Sequence, residues 1–289
     1  MSSTTDRQLI ACGFGRLEAP TMTGPERLLV SDITLGGVHE IDLRSGARQT
    51  VVAHRKGIGG ICPHTQGIIV SGRNVAVRHR SGQSQVLLEA DAARGVTGFN
   101  DMTADRQGRL YVGALSFTVA DGWDTAKRPG LLYRIDLDGT VAVMDDDLLL
   151  PNGMAFSADD RTYYQSDSLR HVVYAYPVSA SGEFGPRRLF AKVPDGLSDG
   201  MAVAQDGSVL VAAAYAGAVY WFEPDGSLRT QIKFESPMVT SVCFTLDSAN
   251  PELIVTTGPE GADPALGGAI YRLQVGMGGV EKHIARVVG

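Results

Sequence analysis

Four side chains ending in carboxylate or amide oxygens, Glu18, Asn100, Asn152 and Asp199, head apolar segments of one recurring form. Set in register, EAPTMTGPERLLVSD, GGICPHTQGIIVSG, NDMTADRQGRLYVGA, NGMAFSADDRTYYQSD, DGMAVAQDGSVLVAAA and SVCFTLDSANPELIVTT begin at Glu18, Gly59, Asn100, Asn152, Asp199 and Ser241. Each has a small or polar leading residue, an apolar run, a turn and a second apolar run. Two carboxylates and two amides, without sulfur or imidazole, are the donor set of a hard divalent cation, and the two carboxylates balance its charge. Calcium fits best, with zinc, magnesium and manganese as alternatives; zinc more often recruits His or Cys. None of the six histidines falls on a leading position.

A competing explanation exists for each residue alone. Asn or Asp before Gly is ordinary turn chemistry, and PNG at 151–153 reads as a turn. Glu18 is not a turn residue, however, and four oxygen-bearing residues at one position of six units favour the metal. In PDGLSDGMAV, Asp199 is followed by GMAVAQDGSVLV, in step with GMAFSADDRTYY after Asn152, whereas Asp195 has no strand in register and reads as a loop residue.

The elements that must position these residues are strands. Short runs rich in Val, Leu, Ile and Tyr alternate with Gly, Asp, Asn and Ser, an all-β pattern. The leading positions 18, 59, 100, 152, 199 and 241 differ by 41, 41, 52, 47 and 42, close to the period of a four-stranded propeller blade. The expectation is one domain over residues 1–289, a six-bladed β-propeller whose innermost strands put the leading residues at one end of a central channel holding a metal ion. The ring is expected to close by pairing RQLIACG with GGAIYRLQV or KHIARVV. The longest insertion, SFTVADGWDTAKRPG at 116–130, accounts for the 52-residue step. It offers Phe117 and Trp123 as an apolar substrate wall, against the plainer reading of a surface loop anchored by its tryptophan. Asp167 reads as a strand-end residue that organises backbone amides.

The 289 residues are 44% hydrophobic and carry a net charge of −6 without a basic stripe, which argues against nucleic acid and anionic membrane. Three scattered cysteines make neither a disulfide framework nor a zinc knuckle. No signal peptide or membrane-length apolar run is evident, so a cytoplasmic protein, monomeric or a small homo-oligomer, is expected. GxSxG, HExxH and Walker motifs are absent from the sequence.

PNGMAFSADDRTYYQSDS, FNDMTADRQGRLYVG and SDGMAVAQDGSVLVAA resemble segments of the gluconolactonase, regucalcin (senescence marker protein) and luciferin-regenerating-enzyme family, from Glu18 to about Arg272. The resemblance implies a six-bladed propeller with a channel cation, often calcium. It implies Glu18, Asn152 and Asp199 as metal ligands and Asn100 beside the metal, touching it or the substrate. It also implies Asp199 as the base or nucleophile of a hydrolase. Two departures stand out. Glu18-Ala19-Pro20 replaces Glu-Gly-Pro, a swap expected to be harmless if the backbone there needs no positive φ. Gly98 stands where sugar-lactone members tend to carry arginine, which points to a less polar lactone or ester. The leading function is metal-dependent hydrolysis of a lactone or related ester. Phosphotriester (organophosphate) hydrolysis and a non-catalytic propeller binding calcium or a partner protein are the alternatives.

Overall fold

Runs such as RLLVSD, GIIV, LYVGAL, TYYQSD and VLVAAA are β-branched or aromatic and bounded by Gly, Asp and Asn, and each forms a strand. The computed structural model describes residues 7–118, 121–122, 125, 128–261, 263 and 265–288. Its strands, β1 to β24 in chain order, form six antiparallel four-stranded sheets, the blades of a six-bladed β-propeller. Five sheets are meanders of four consecutive strands. The sixth is closed by the two ends of the chain: β1 (Arg7–Phe14) pairs with β24 (Gly268–Gln274), Leu9 opposite Tyr271. The expected closure with GGAIYRLQV is therefore found, and KHIARVV has another role.

The inner strands are β2 (Leu17–Gly24), β6 (Ile61–His64), β10 (Gly98–Ala104), β14 (Pro151–Phe156), β18 (Leu197–Val203) and β22 (Val239–Phe244). Each packs against the next around the ring, and β22 returns to β2. The core lies between blades. Cys62 and Ile69 of one blade meet Met102, Leu110 and Val112 of the next, and Tyr111 meets Met154, Phe156 and Tyr163. A blade cannot bury its faces alone, so the apolar burial that drives folding is realised between neighbours.

Residues 278–288 run across the end of the channel away from the leading residues. Val280 N donates to Val203 O at 2.8 Å, Ala285 N to Pro63 O at 2.8 Å, and Arg286 N to Gly108 O at 2.8 Å. The segment thus passes from the blade of β18 to the opposite blade of β6 and on to that of β10. Ala285 and Val287 are fully buried in the core between the last two. Among the described residues no helix is long and apolar enough to cross a membrane.

Candidate active site at the channel mouth

The expected turns at the leading residues are not turns. Asn152-Gly153 and Asp199-Gly200 lie inside β14 and β18. The pairing with the second strand of the blade slips between Glu18 and Thr21, Phe99 and Met102, Pro151 and Met154, and Ser198 and Met201. These are β-bulges, which re-aim side chains at the end of a strand. Every oxygen-bearing leading residue sits at one, whereas β6, led by Gly59, pairs in unbroken register.

A bulge strands backbone groups, which must find partners when buried. Ser31 Oγ donates to Ile58 O at 2.7 Å with Glu18 O at 3.2 Å, Ser166 Oγ to Asp199 O at 2.9 Å, and Gln165 Nε2 to Asn152 O at 2.9 Å. Glycine serves a different need from the turn the sequence suggested. A Cβ at Gly59 would collide with the Asn100 side chain, and one at Gly153 with the backbone of Asp199 and Gly200. These glycines let adjacent inner strands approach.

Glu18, Asn100, Asn152 and Asp199 line one cavity of about 450 Å³, together with Arg16, Ser168, Tyr215, Phe117, Leu150 and Met238 among others. Asn152 Nδ2 donates to Ser168 Oγ at 3.2 Å and bonds Asp199, and Ser168 Oγ donates to Ser198 O at 2.5 Å. Asn100 Nδ2 donates to Pro151 O at 3.1 Å. Both amide nitrogens thus donate to protein acceptors, which leaves the amide oxygens as the groups able to face a cation.

The carboxylates are under stress. Burial, then the charges of Asp199 and Asp101, push Glu18 well above the ordinary carboxylate range. Burial, then Asp101, push Asp199 up to about 8. Asp199 Oδ1 is buried without a hydrogen-bond partner. An orphaned carboxylate oxygen and two like charges in one cavity are costly unless a cation joins them. The donor chemistry therefore fits a hard divalent ion. Among the described residues no three His, Cys, Asp or Glu side chains converge on a metal position, so an ion at this mouth would need oxygens beyond the two carboxylates.

Phe117 is buried and lines the cavity, from the loop on the same mouth as the leading residues. Trp123 lies outside the described residues. Asp195 is exposed, and its carboxylate accepts from Gly196 N at 2.8 Å. Asp167 is fully buried and accepts from Leu149 N at 3.1 Å and Leu150 N at 3.2 Å. Ser241 faces Gly200 rather than the cavity. Sequence reasoning missed Arg16, Ser168 and Tyr215 as lining residues and Asp101 as a buried charge beside them. Arg16, two residues before Glu18, was the one with a signal. The Ala19 expectation needs correcting: its φ is 52°. Alanine tolerates this left-handed position because its methyl is buried with Leu29, Ile58 and Ile61, which offsets part of the strain.

Fold and cavity together define a six-bladed propeller with an oxygen-lined site at one channel mouth. Residues 18–259 match the model of the SMP-30/Gluconolactonase/LRE-like region. The chain is 30% identical over 285 residues to the pentonolactonase XacC of Haloferax volcanii, covering 93% of each protein. It is 29% identical over 280 residues to a 6-deoxy-6-sulfogluconolactonase of Pseudomonas putida, covering 92% of this chain and 94% of that one. Its fold matches the calcium-binding protein regucalcin of Agrobacterium tumefaciens with a TM-score of 0.81 at 20% identity, over 98% of this chain and 97% of that one. The chain belongs to the SMP-30/gluconolactonase/LRE-like family.

Proposed function

We propose that this protein is a metal-dependent lactonase, with Glu18, Asn152 and Asp199 holding a divalent cation, calcium by donor chemistry, and Asn100 beside it. The observation that carries the reading is the buried, unpartnered Asp199 Oδ1 in a cavity of oxygen donors. Lactonases among full-length relatives and a calcium-binding protein of the same fold support it. When bound, the cation supplies Lewis acidity to the substrate carbonyl and offsets the two carboxylates.

The chain's own residues do the rest. Asp199 takes a proton from the attacking water as the water oxygen adds to the acyl carbon. The ring C–O bond then breaks, and the proton passes from Asp199 to the leaving alkoxide, giving the hydroxy acid. Direct attack by Asp199 on the acyl carbon is the other route open to it, and single turnover in isotopically heavy water separates the two: only direct attack places protein oxygen in the product. Asn100 and Asn152 orient substrate and ion without adding charge, and Phe117, Leu150 and Met238 supply apolar surface around the cavity. The three free cysteines fit a reducing compartment, the cytoplasm.

The test is removal of divalent ions by chelation, then return of calcium, magnesium, manganese or zinc, with a panel of γ- and δ-lactones, aryl esters and a phosphotriester. Lactone hydrolysis that disappears with the metal and returns with it is the expected result. Turnover of no lactone under any metal would overturn the reading, and turnover of the phosphotriester alone would replace it.

A further inference from the structure

β10 brings no arginine to the cavity, because Gly98 holds that place, and a Cβ there would lie 3.1 Å from Gly72 O. A guanidinium arrives from another wall. Arg16 is the only cationic side chain among the described residues lining the cavity, and its charge acts on both Glu18 and Asp199.

Its position is built. The backbone is tied by Arg16 N donating to Thr34 Oγ1 at 3.0 Å and by Ile33 N donating to Arg16 O at 2.8 Å. The side chain is fixed by Glu260, whose Oε1 accepts from Nε at 2.9 Å and from Nη2. Glu260 itself is seated over Gly258, where a Cβ would collide with its Oε2 and crowd the Arg16 stem. The two residues are 244 positions apart in sequence, so the pair joins the first and last blades. A guanidinium carries five N–H donors in a rigid fork, more than one carboxylate oxygen accepts.

The other polar side chains of the cavity point to what the fork would bind. Asn152 donates to Ser168 and Asp199, Asn100 donates to Pro151 O, and Ser168 donates to Ser198 O. Most of the remaining lining is apolar: Ile33, Leu115, Phe117, Leu150, Leu197 and Met238. One pre-positioned guanidinium, the only cation of the cavity among the described residues, suits a single strong acceptor.

We infer that Arg16 is a specificity-determining residue that anchors an anionic substituent of the substrate, so that the preferred lactones carry a carboxylate or sulfonate away from the scissile bond. This departs from the expectation of a less polar substrate, and it rests on the lactonase reading. The test pairs a γ-butyrolactone bearing a carboxylate on the ring carbon β to the carbonyl, attached to neither atom of the scissile bond, with the same lactone bearing the neutral carboxamide, in wild-type, Arg16→Met and Arg16→Lys protein loaded with calcium. Wild-type protein is expected to prefer the acid. Arg16→Met should lose about 10- to 100-fold more in kcat/KM on the acid than on the amide, the difference mainly in KM. Arg16→Lys should recover only part of it. Equal loss on both substrates would overturn the inference by placing Arg16 on the ester group itself, and absence of an acid preference in wild-type protein would overturn it outright. In either case the amide is still hydrolysed, so failure here is distinct from failure of the lactonase reading, in which neither lactone turns over. Binding of the ring-opened diacid by calorimetry, weakened in Arg16→Met, gives a readout independent of turnover.

Discussion

The two ends of the channel are made by the same six inner strands and solve opposite problems. At the mouth with Glu18 and Asp199 the strands bulge, hydroxyls and an amide from second strands take up the displaced carbonyls, and a carboxylate oxygen stays buried without a partner. Two non-glycine residues there, Ala19 and Tyr215, hold left-handed backbone, at φ 52° and 68°. At the far mouth, segment 278–288 bonds to three blades and sinks Ala285 and Val287 into the core, while His64 Nε2 meets Val287 O at 3.1 Å. One end gives up stability to keep unpaired oxygens facing a cavity. The other gathers stability by covering the channel. On the proposed reading, function and folding energy are separable in this molecule, and substitutions can break that separation or sharpen it.

The largest effect belongs to Asp199→Asn. Removing the proton acceptor should lower kcat for lactone hydrolysis by about 10²- to 10⁴-fold while the thermal midpoint of metal-free protein holds or rises, because a buried carboxyl oxygen without a partner is gone. Loss of folding without loss of rate per folded molecule would reverse the assignment.

Next is the pH dependence of the metal-free protein. Glu18 and Asp199 lie above their ordinary values, Asp199 at about 8 against 3.8, so the folded state holds protons that the unfolded state releases. Stability from these groups is then present in acid and lost as pH rises through about 8. Calcium should reverse the trend, its stabilisation of the thermal midpoint growing from about pH 5 to about pH 8 as protons cease to compete. Scanning calorimetry with chelator and with calcium reads both. A midpoint that rises with pH in chelator would count against the stressed carboxylate pair.

Much of this was legible in the sequence. Blade period, strand chemistry and leading residues are local and repetitive, so one register exposes the ring. The partner of RQLIACG was left open between GGAIYRLQV and KHIARVV, and the pairing of β1 with β24 selects the first. What was not legible depends on three-dimensional approach. Asn-Gly and Asp-Gly are turn signals by local propensity, yet here the glycines make room for the neighbouring strand, which no window around Asn152 or Asp199 reveals. Arg16 meets Glu260 only because the first and last blades close on each other. The segment KHIARVV has strand composition, and only the open end of the channel decides that it covers a mouth instead of joining a sheet.

At the far mouth, Val287→Ala should cost roughly 2 kcal/mol of stability through the cavity it leaves, with kcat and KM unchanged. Chemical denaturation and initial rates check the two halves, and a change in kcat comparable to that of Asp199→Asn would join the two ends after all. The smallest effect is Ala19→Gly. Relief of left-handed strain, about 1–2 kcal/mol, is set against the lost burial of one methyl, about 0.8 kcal/mol, leaving a net gain of roughly 0.5 kcal/mol. A loss of stability would mean that the methyl's packing outweighs the strain.

The most direct measurement is a crystal structure of the protein with calcium supplied. A single ion is predicted at about 2.3–2.6 Å from oxygens of Glu18, Asn152 and Asp199, with Asn100 beside it and Asp199 Oδ1 no longer orphaned. A channel mouth that binds no ion at saturating calcium, with those side chains turned away from one another, would contradict it.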